Sequence, residues 1–247
     1  MQPEEYRKLA EVEDRMWYFR ALHEHVRRAL APRLDGRTAQ VLDAGCGTGG
    51  LIRRLAGREA WKWTGVDLSP VAIELARRRC PPGTELKEAA VTALPFADGS
   101  FDAVVSADVL YHVDDDNAAL REFFRVLRPG APVVLTLPAY PWLWSYHDVA
   151  VEARRRYRRS GILSQLRAAG FTDARATYWN TLAFPLVVLR RKLLPAPRGG
   201  SDVSLSSPPV EAGFRAVAAV EQTWIRGGGR WPFGCSILAV AVKPGGA

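Results

Sequence analysis

The chain has 247 residues, 48% hydrophobic and 24% charged, the balance of one ordinary globular domain that buries about 70–75% of its unfolded surface. Its net charge of +8 invites nucleic acid, but the basic residues are nearly all arginines on predicted helix faces, and no strand interleaves aromatic with basic residues, so no nucleic-acid partner is expected. Cys46, Cys80 and Cys235 have neither metal-ligand spacing nor a disulfide pattern, so no metal is expected and the cytoplasm is the expected compartment.

The first 20 residues are charged throughout and lack the apolar core of a signal peptide, and the longest apolar run, 182–189, is too short to span a bilayer. Residues 4–30 read as a helix that breaks at Pro32. Within it Met16-Trp17-Tyr18-Phe19-Arg20 is a dense aromatic cluster, and His23 and His25 fall at expected surface positions. Residues 40–43 read as the first strand, and 50–57 as the helix behind a glycine-rich turn. The second strand is 62–67. Ser69-Pro70 then supplies an N-cap and a first-turn proline for a helix that Pro81-Pro82-Gly83 stops.

Further strands are predicted at 85–89, 101–107 and 132–137. A helix over 115–127 carries Leu120, Phe123, Phe124 and Leu127 on one face. The unbroken apolar run in 101–107 is typical of a strand covered on both sheet faces. Such strand–helix alternation specifies an α/β fold with a doubly wound, Rossmann-like sheet. Ligands of such sheets sit beyond the carboxyl ends of the strands, where Asp43, Asp67, Asp108 and Pro138 would form the rim.

After 138 the rhythm changes. Residues 139–146 are rich in Pro, Trp and Tyr, and His147-Asp148 precedes the basic run 154–159. A solvated helix face is the plain reading of that run; an anion site for substrate is the functional one. A helix over 161–169 ends at Gly170, a strand covers 171–178, a helix lies near 210–225, and the last strand is 235–242. Between them lie the apolar segment 182–194, a candidate pocket lining or membrane-surface element, and the turn-rich stretch 195–209.

The stretch Val41-Leu42-Asp43-Ala44-Gly45-Cys46-Gly47-Thr48-Gly49-Gly50 reads as strand, tight turn and helix start. It brings backbone N–H groups and a helix N-terminus up to a ligand. Nucleotide-binding folds share such a turn, so the turn alone does not identify the ligand. Asp43 is more telling: a carboxylate there would repel a pyrophosphate and hold an ammonium. Asp67 ends the second strand and suits a ribose diol. A ligand with both an amino-acid end and a ribose fits, and S-adenosylmethionine is such a ligand.

The segments DAGCGTG (43–49), GVDLSPVAIELAR (65–77), LPFADGSFDAVV (94–105), VLYHV (109–113) and REFFRVLRPG (121–130) together resemble class I S-adenosylmethionine-dependent methyltransferases. More narrowly, they are similar to the small-molecule branch called type 11. The resemblance implies a single domain with a seven-stranded sheet whose last strand is antiparallel. It assigns 1–34 to a helical lid, 35–138 to the cofactor core and 139–247 to substrate-binding segments and closing strands. Cofactor contacts are implied at Trp17, Arg20, Asp43, Gly45, Cys46, Gly47, Asp67, Leu68, Val91 and Ala107. The family's acidic residue for the adenine amino group falls here at Ala90, so packing and backbone near Val91 are expected to hold adenine.

The implied activity is methyl transfer from S-adenosylmethionine to an O, N or C nucleophile of a small molecule. Asp108, Tyr111, Tyr140, Trp144, Tyr157 and Trp179 are the substrate-side candidates. His112, after the fourth strand, and His147, beside an Asp148 that could fix its tautomer, are the candidate bases. Two other uses of the fold stay open: a non-methylating reaction such as cyclisation, and a cofactor-binding subunit without catalysis. The residues do not set an oligomeric state.

Overall fold

The computed structural model describes residues 2–57, 60–196 and 201–245. Its strands are β1 (Ala39–Ala44), β2 (Trp61–Asp67), β3 (Glu85–Glu88), β4 (Ala103–Ala107), β5 (Pro132–Pro138), β6 (Thr172–Trp179) and β7 (Ser236–Val242). Its helices are α1 (Pro3–Val12), α2 (Trp17–Leu34), α3 (Gly50–Leu55), α4 (Pro70–Arg79), α5 (Asp116–Val126), α6 (Tyr146–Ala150), α7 (Arg159–Ala168), α8 (Phe184–Lys192) and α9 (Pro208–Arg226).

The strands form one sheet in the order β3-β2-β1-β4-β5-β7-β6. β1, β2, β3, β4 and β5 run parallel, and β7 lies antiparallel between β5 and β6. The apolar strands β1, β4 and β5 occupy the centre, because only a strand with helices on both faces can be apolar on both. β3 carries Glu85, Lys87 and Glu88 and forms one edge, where charge discourages pairing with another chain.

Alternation along the central strands builds two cores. Leu42, Val104 and Val133 face Leu120, Phe123 and Leu166 of α5 and α7. Val41, Val105 and Val134 face Leu30, Ile52 and Ile73 of α2, α3 and α4. The strand order reverses between β1 and β4, and a crevice opens above their carboxyl ends. Local chemistry sets the helix ends as expected. The Ser69 hydroxyl accepts from the Ala72 N–H at 3.3 Å, and Asp115 caps α5 at the Ala118 N–H.

Several expectations are overturned. The helix expected over 4–30 is two helices, and α2 continues through Pro32 to Leu34. Pro32 sits in the last turn, where a single ladder bond is lost and the buried Leu30 and Leu34 hold the helix to the sheet. His23 and His25 are buried, at 4% and 3% exposure: His23 turns to the cavity beside Phe19, and His25 packs against the Trp179 ring. The strand expected from Phe101 starts at Ala103; Phe101 keeps one isolated bridge to Leu127. The basic run 154–159 is no solvated helix face. It is largely extended, and Arg156 is buried. Of the turn-rich stretch 195–209, residues 197–200 lie outside the described residues.

Candidate active site

A cavity of 1540 Å³ opens over the carboxyl ends of β1, β2 and β4. An ordinary ligand pocket measures about 300–1,000 Å³, so this one has room for two ligands side by side. Its floor is the glycine-rich turn. Gly45, Gly47 and Gly49 have φ of +89°, +52° and +81°. A Cβ on Gly45 would collide with the Val109 side chain, so this turn needs glycine for both conformation and close approach.

Asp43 is 2% exposed, lines the cavity and accepts no hydrogen bond from the described residues. Burial, then the nearby Asp67 and Glu13, push its carboxyl up to about 8. A buried carboxylate without a partner is costly, and an ammonium placed against it would remove that cost. Asp67 is differently set. Its Oδ2 accepts from the Gly47 N–H at 2.9 Å, and its Oδ1 accepts from the Ser69 N–H at 2.9 Å and the Tyr6 hydroxyl at 3.2 Å. Burial still raises its pKa against those donors. Leu68, exposed at 70%, and Val91 flank the site, with Ala90 between Val91 and the end of β3.

The first two helices close one side. Glu13 accepts from the Thr48 hydroxyl and pairs with Arg79, which also reaches Asp14 at 3.1 Å. These ties fasten the α1–α2 junction to the turn, and Gly50 leaves room for the Glu13 carboxylate. Trp17 stacks on Phe214 of α9 with ring centroids 4.9 Å apart, and its N–H donates to Glu211.

On the far side of the cavity Asp108 holds φ of +55° and receives the Tyr18 hydroxyl at 2.7 Å and the Thr136 hydroxyl at 3.0 Å. Burial raises its pKa. The two candidate bases differ in tautomer. His112 Nδ1 faces the Glu152 carbonyl at 3.4 Å; a carbonyl only accepts, so Nδ1 carries the hydrogen and Nε2 keeps its lone pair. His147 Nδ1 accepts from the Asp202 N–H at 3.1 Å, which puts its hydrogen on Nε2 and leaves no free lone pair. Burial lowers both to about 4, so both are neutral near pH 7. Asp148 does not orient His147. It caps α6 through Ser145 and forms a buried ion pair with Arg156 at 2.8 Å.

Among the expected cofactor residues, Trp17, Asp43, Gly45, Cys46, Gly47, Asp67, Leu68, Val91 and Ala107 all line the cavity. Arg20 does not: it follows Phe19 directly and lands on the exposed face of α2. Asp108, Tyr111, His112 and His147 line the cavity, but four expected substrate residues do not. Tyr140 is stacked between Tyr178 and Trp142. The Trp144 side chain points outward, half-exposed. Tyr157 is in the core, with its hydroxyl on Asp116 at 2.8 Å. Trp179 is buried against Tyr18 and His25. Tyr6, Glu13 and Tyr18 line the cavity without having been singled out. The aromatic cluster was a signal for Tyr18, whereas nothing in the charged first helix marked the other two. Among the described residues no group of three or more His, Cys, Asp or Glu could hold a metal, and no helix is long and apolar enough to cross a membrane.

A family model described as Methyltransferase domain matches residues 42–135. A demethylmenaquinone methyltransferase of Tropheryma whipplei is 38% identical over 197 residues, covering 68% of this chain and 80% of that one. An O-methyltransferase of Aspergillus nomiae is 36% identical over 118 residues, covering 45% of this chain and 52% of the relative. The chain spans about half the length, or less, of the first curated relatives it matches. In the solved complex between the Haloferax volcanii Trm112 methyltransferase activator and a methyltransferase, one chain shares the fold. Its TM-score is 0.64 at 22% identity, covering 99% of this chain and 95% of that one.

Proposed function

The chain belongs to the class I S-adenosylmethionine-dependent methyltransferases, and we propose that it moves the cofactor's methyl group to an oxygen, nitrogen or carbon nucleophile of a small molecule. One observation carries this reading: two buried carboxylates lie at the ends of adjacent parallel strands around the glycine turn, and Asp43 has no hydrogen-bond partner among the described residues. Asp43 would hold the amino-acid ammonium, Asp67 the ribose hydroxyls, and Leu68 and Val91 the adenine faces. S-adenosylmethionine supplies a sulfonium methyl that leaves as the sulfur loses its charge.

The protein's part is mainly placement. Orientation of two reactants contributes about 7–11 kcal/mol, whereas a general base contributes about 10²–10⁴-fold in rate, or roughly 3–5 kcal/mol. Tyr18 and Thr136 hold Asp108 at the acceptor side, and the Thr48–Glu13 hydrogen bond ties the α1–α2 junction to the glycine turn. Where the acceptor is a hydroxyl, His112 Nε2 takes its proton. The relatives named for O-methylation and for demethylmenaquinone make phenol-type and quinone-type acceptors the first to test. The segment 139–230 sets acceptor choice, a reading supported by the cavity-lining His147, Arg156, Leu186 and Asp202 within it. Three free cysteines support a reducing, cytoplasmic setting.

Calorimetry with S-adenosylhomocysteine and with NAD tests the cofactor assignment. The expected result is one S-adenosylhomocysteine per chain, no heat from NAD, and a loss of about 1.5–3 kcal/mol of affinity in Asp67→Ala. Heat from NAD alone would overturn it.

A further inference from the structure

Helix α8 buries none of its nine residues. Leu186 and Leu189 share one face of α8, and Leu182 in the turn before it and Leu193 just past its end extend the row at spacings of four. A helix that packs on a core turns such a stripe inward. Here all four leucines are exposed, Leu193 to 74%. Phe184 links the stripe to a second apolar element. Its ring lies 6.1 Å from the half-exposed Trp142 and 5.7 Å from Phe233.

The stretch of sequence that carries this face holds charge of one sign. From Asn180 to Ser201 the sequence contains no Asp or Glu, but holds Arg190, Arg191, Lys192 and Arg198. Arg191 is neutralised by Asp202 at 2.8 Å. Among the described residues Arg190 and Lys192 have no carboxylate partner: Arg190 donates to the Pro195 carbonyl at 2.6 Å and Lys192 to the Trp144 carbonyl at 2.8 Å. Carbonyls satisfy the donors and leave both charges in place. Leucines on and beside one short helix, a neighbouring tryptophan and cations with no carboxylate partner among the described residues suit the boundary between lipid headgroups and acyl chains. A second copy of the chain fits poorly, because a two-fold contact would set the same cations against each other.

Leu186 and Leu189 also form the lip of the cavity. We propose that the α8 face docks on an anionic lipid bilayer, with its leucines in the headgroup layer, so that the cavity mouth opens onto the membrane and takes an acceptor with an apolar tail from it. The docking stands on this surface alone; its use for acceptor entry rests on the methyltransferase reading. The helix lies on the bilayer and does not cross it.

The test is co-sedimentation of the full chain with vesicles of phosphatidylglycerol and phosphatidylcholine, against phosphatidylcholine alone. The expected result is binding to the anionic vesicles, at least about tenfold weaker on neutral vesicles or at high salt. Leu182→Glu/Leu193→Glu lies outside the cavity. It should cut anionic-vesicle binding at least about tenfold and leave S-adenosylhomocysteine affinity unchanged. Lys192→Glu, a gentler variant, should weaken binding in the same direction. Three results would overturn the proposal: no binding to anionic vesicles, equal binding by the double variant, or a solution dimer that the double variant dissociates. A parent chain that binds vesicles but not S-adenosylhomocysteine would sink the methyltransferase reading and leave the docking intact.

Discussion

Binding of an ammonium ligand should expel a proton from Asp43. With its carboxyl raised to about 8, roughly 0.9 of the ligand-free molecules carry that proton at pH 7, and roughly 0.1 at pH 9. A cation against the carboxylate favours the ionised form, so S-adenosylhomocysteine should release about 0.9 proton per site at pH 7, and the release should fall as pH rises past 8. The assay is calorimetry in buffers of different ionisation enthalpy; the slope of observed heat against that enthalpy counts the protons. Affinity should also tighten about tenfold per pH unit between pH 6 and 7. Asp43→Asn should flatten both dependences and weaken binding. The sign for folding follows from the raised native pKa. The ligand-free native state holds this proton more tightly than the unfolded chain, whose Asp titrates near 3.8. Its stability contribution is therefore complete below about pH 4 and lost as pH rises through about 8. Ligand-free Tm should fall over that window, and the ligand-induced gain in Tm should grow. A parent protein whose binding heat is independent of buffer at pH 7 would refute the reasoning.

Asp148→Ala leaves Arg156 buried and unpaired, so urea unfolding should show a loss of about 3–5 kcal/mol, and Arg156→Met/Asp148→Leu should lose less than half of that. For a phenolic acceptor, His112→Ala should lower kcat about 10²-fold without changing cofactor affinity. The parent's low-pH limb should lie near pH 4, while His147→Ala should keep the parent's pH profile. His23 and His25, lowered by burial to about 3 and about 4, should show ring NMR signals that do not titrate between pH 8 and 5.5. Their contribution to stability is present above about pH 6.5 and lost as pH falls towards 4.

The strands, their order of appearance and the glycine turn were legible because they are written locally. Apolar runs mark the central strands, Ser69 and Asp115 cap the helices that were expected, and Asp43 and Asp67 end strands that bring them to one cavity. What stayed hidden depends on distant partners. No glycine or proline marks the break after Val12; Thr48 and Arg79 pull Glu13 onto the turn from 35 and 66 residues away. His23 and His25 read as surface until the fold turns His23 to the cavity and sets His25 against Trp179, more than 150 residues on. Arg156 sits in a run of arginines that looks solvated, and only the fold shows that Arg154 points outward to Asp114 while Arg156 meets Asp148 in the interior. Tyr157 and Trp179 were legible as aromatic but not in direction, since a one-residue change of register sends a side chain to the opposite face.

Transfer of an isotopically labelled methyl group tests the central claim most directly. The protein is incubated with S-adenosylmethionine labelled in its methyl group and with a panel of phenol-type and quinone-type acceptors, including lipophilic ones, and products are read by mass. The account predicts that one acceptor gains the labelled methyl while S-adenosylhomocysteine forms in equal amount, and that Asp43→Asn and Asp67→Ala lose this product. An acceptor transformed without gaining the label, with the cofactor unchanged, would contradict it.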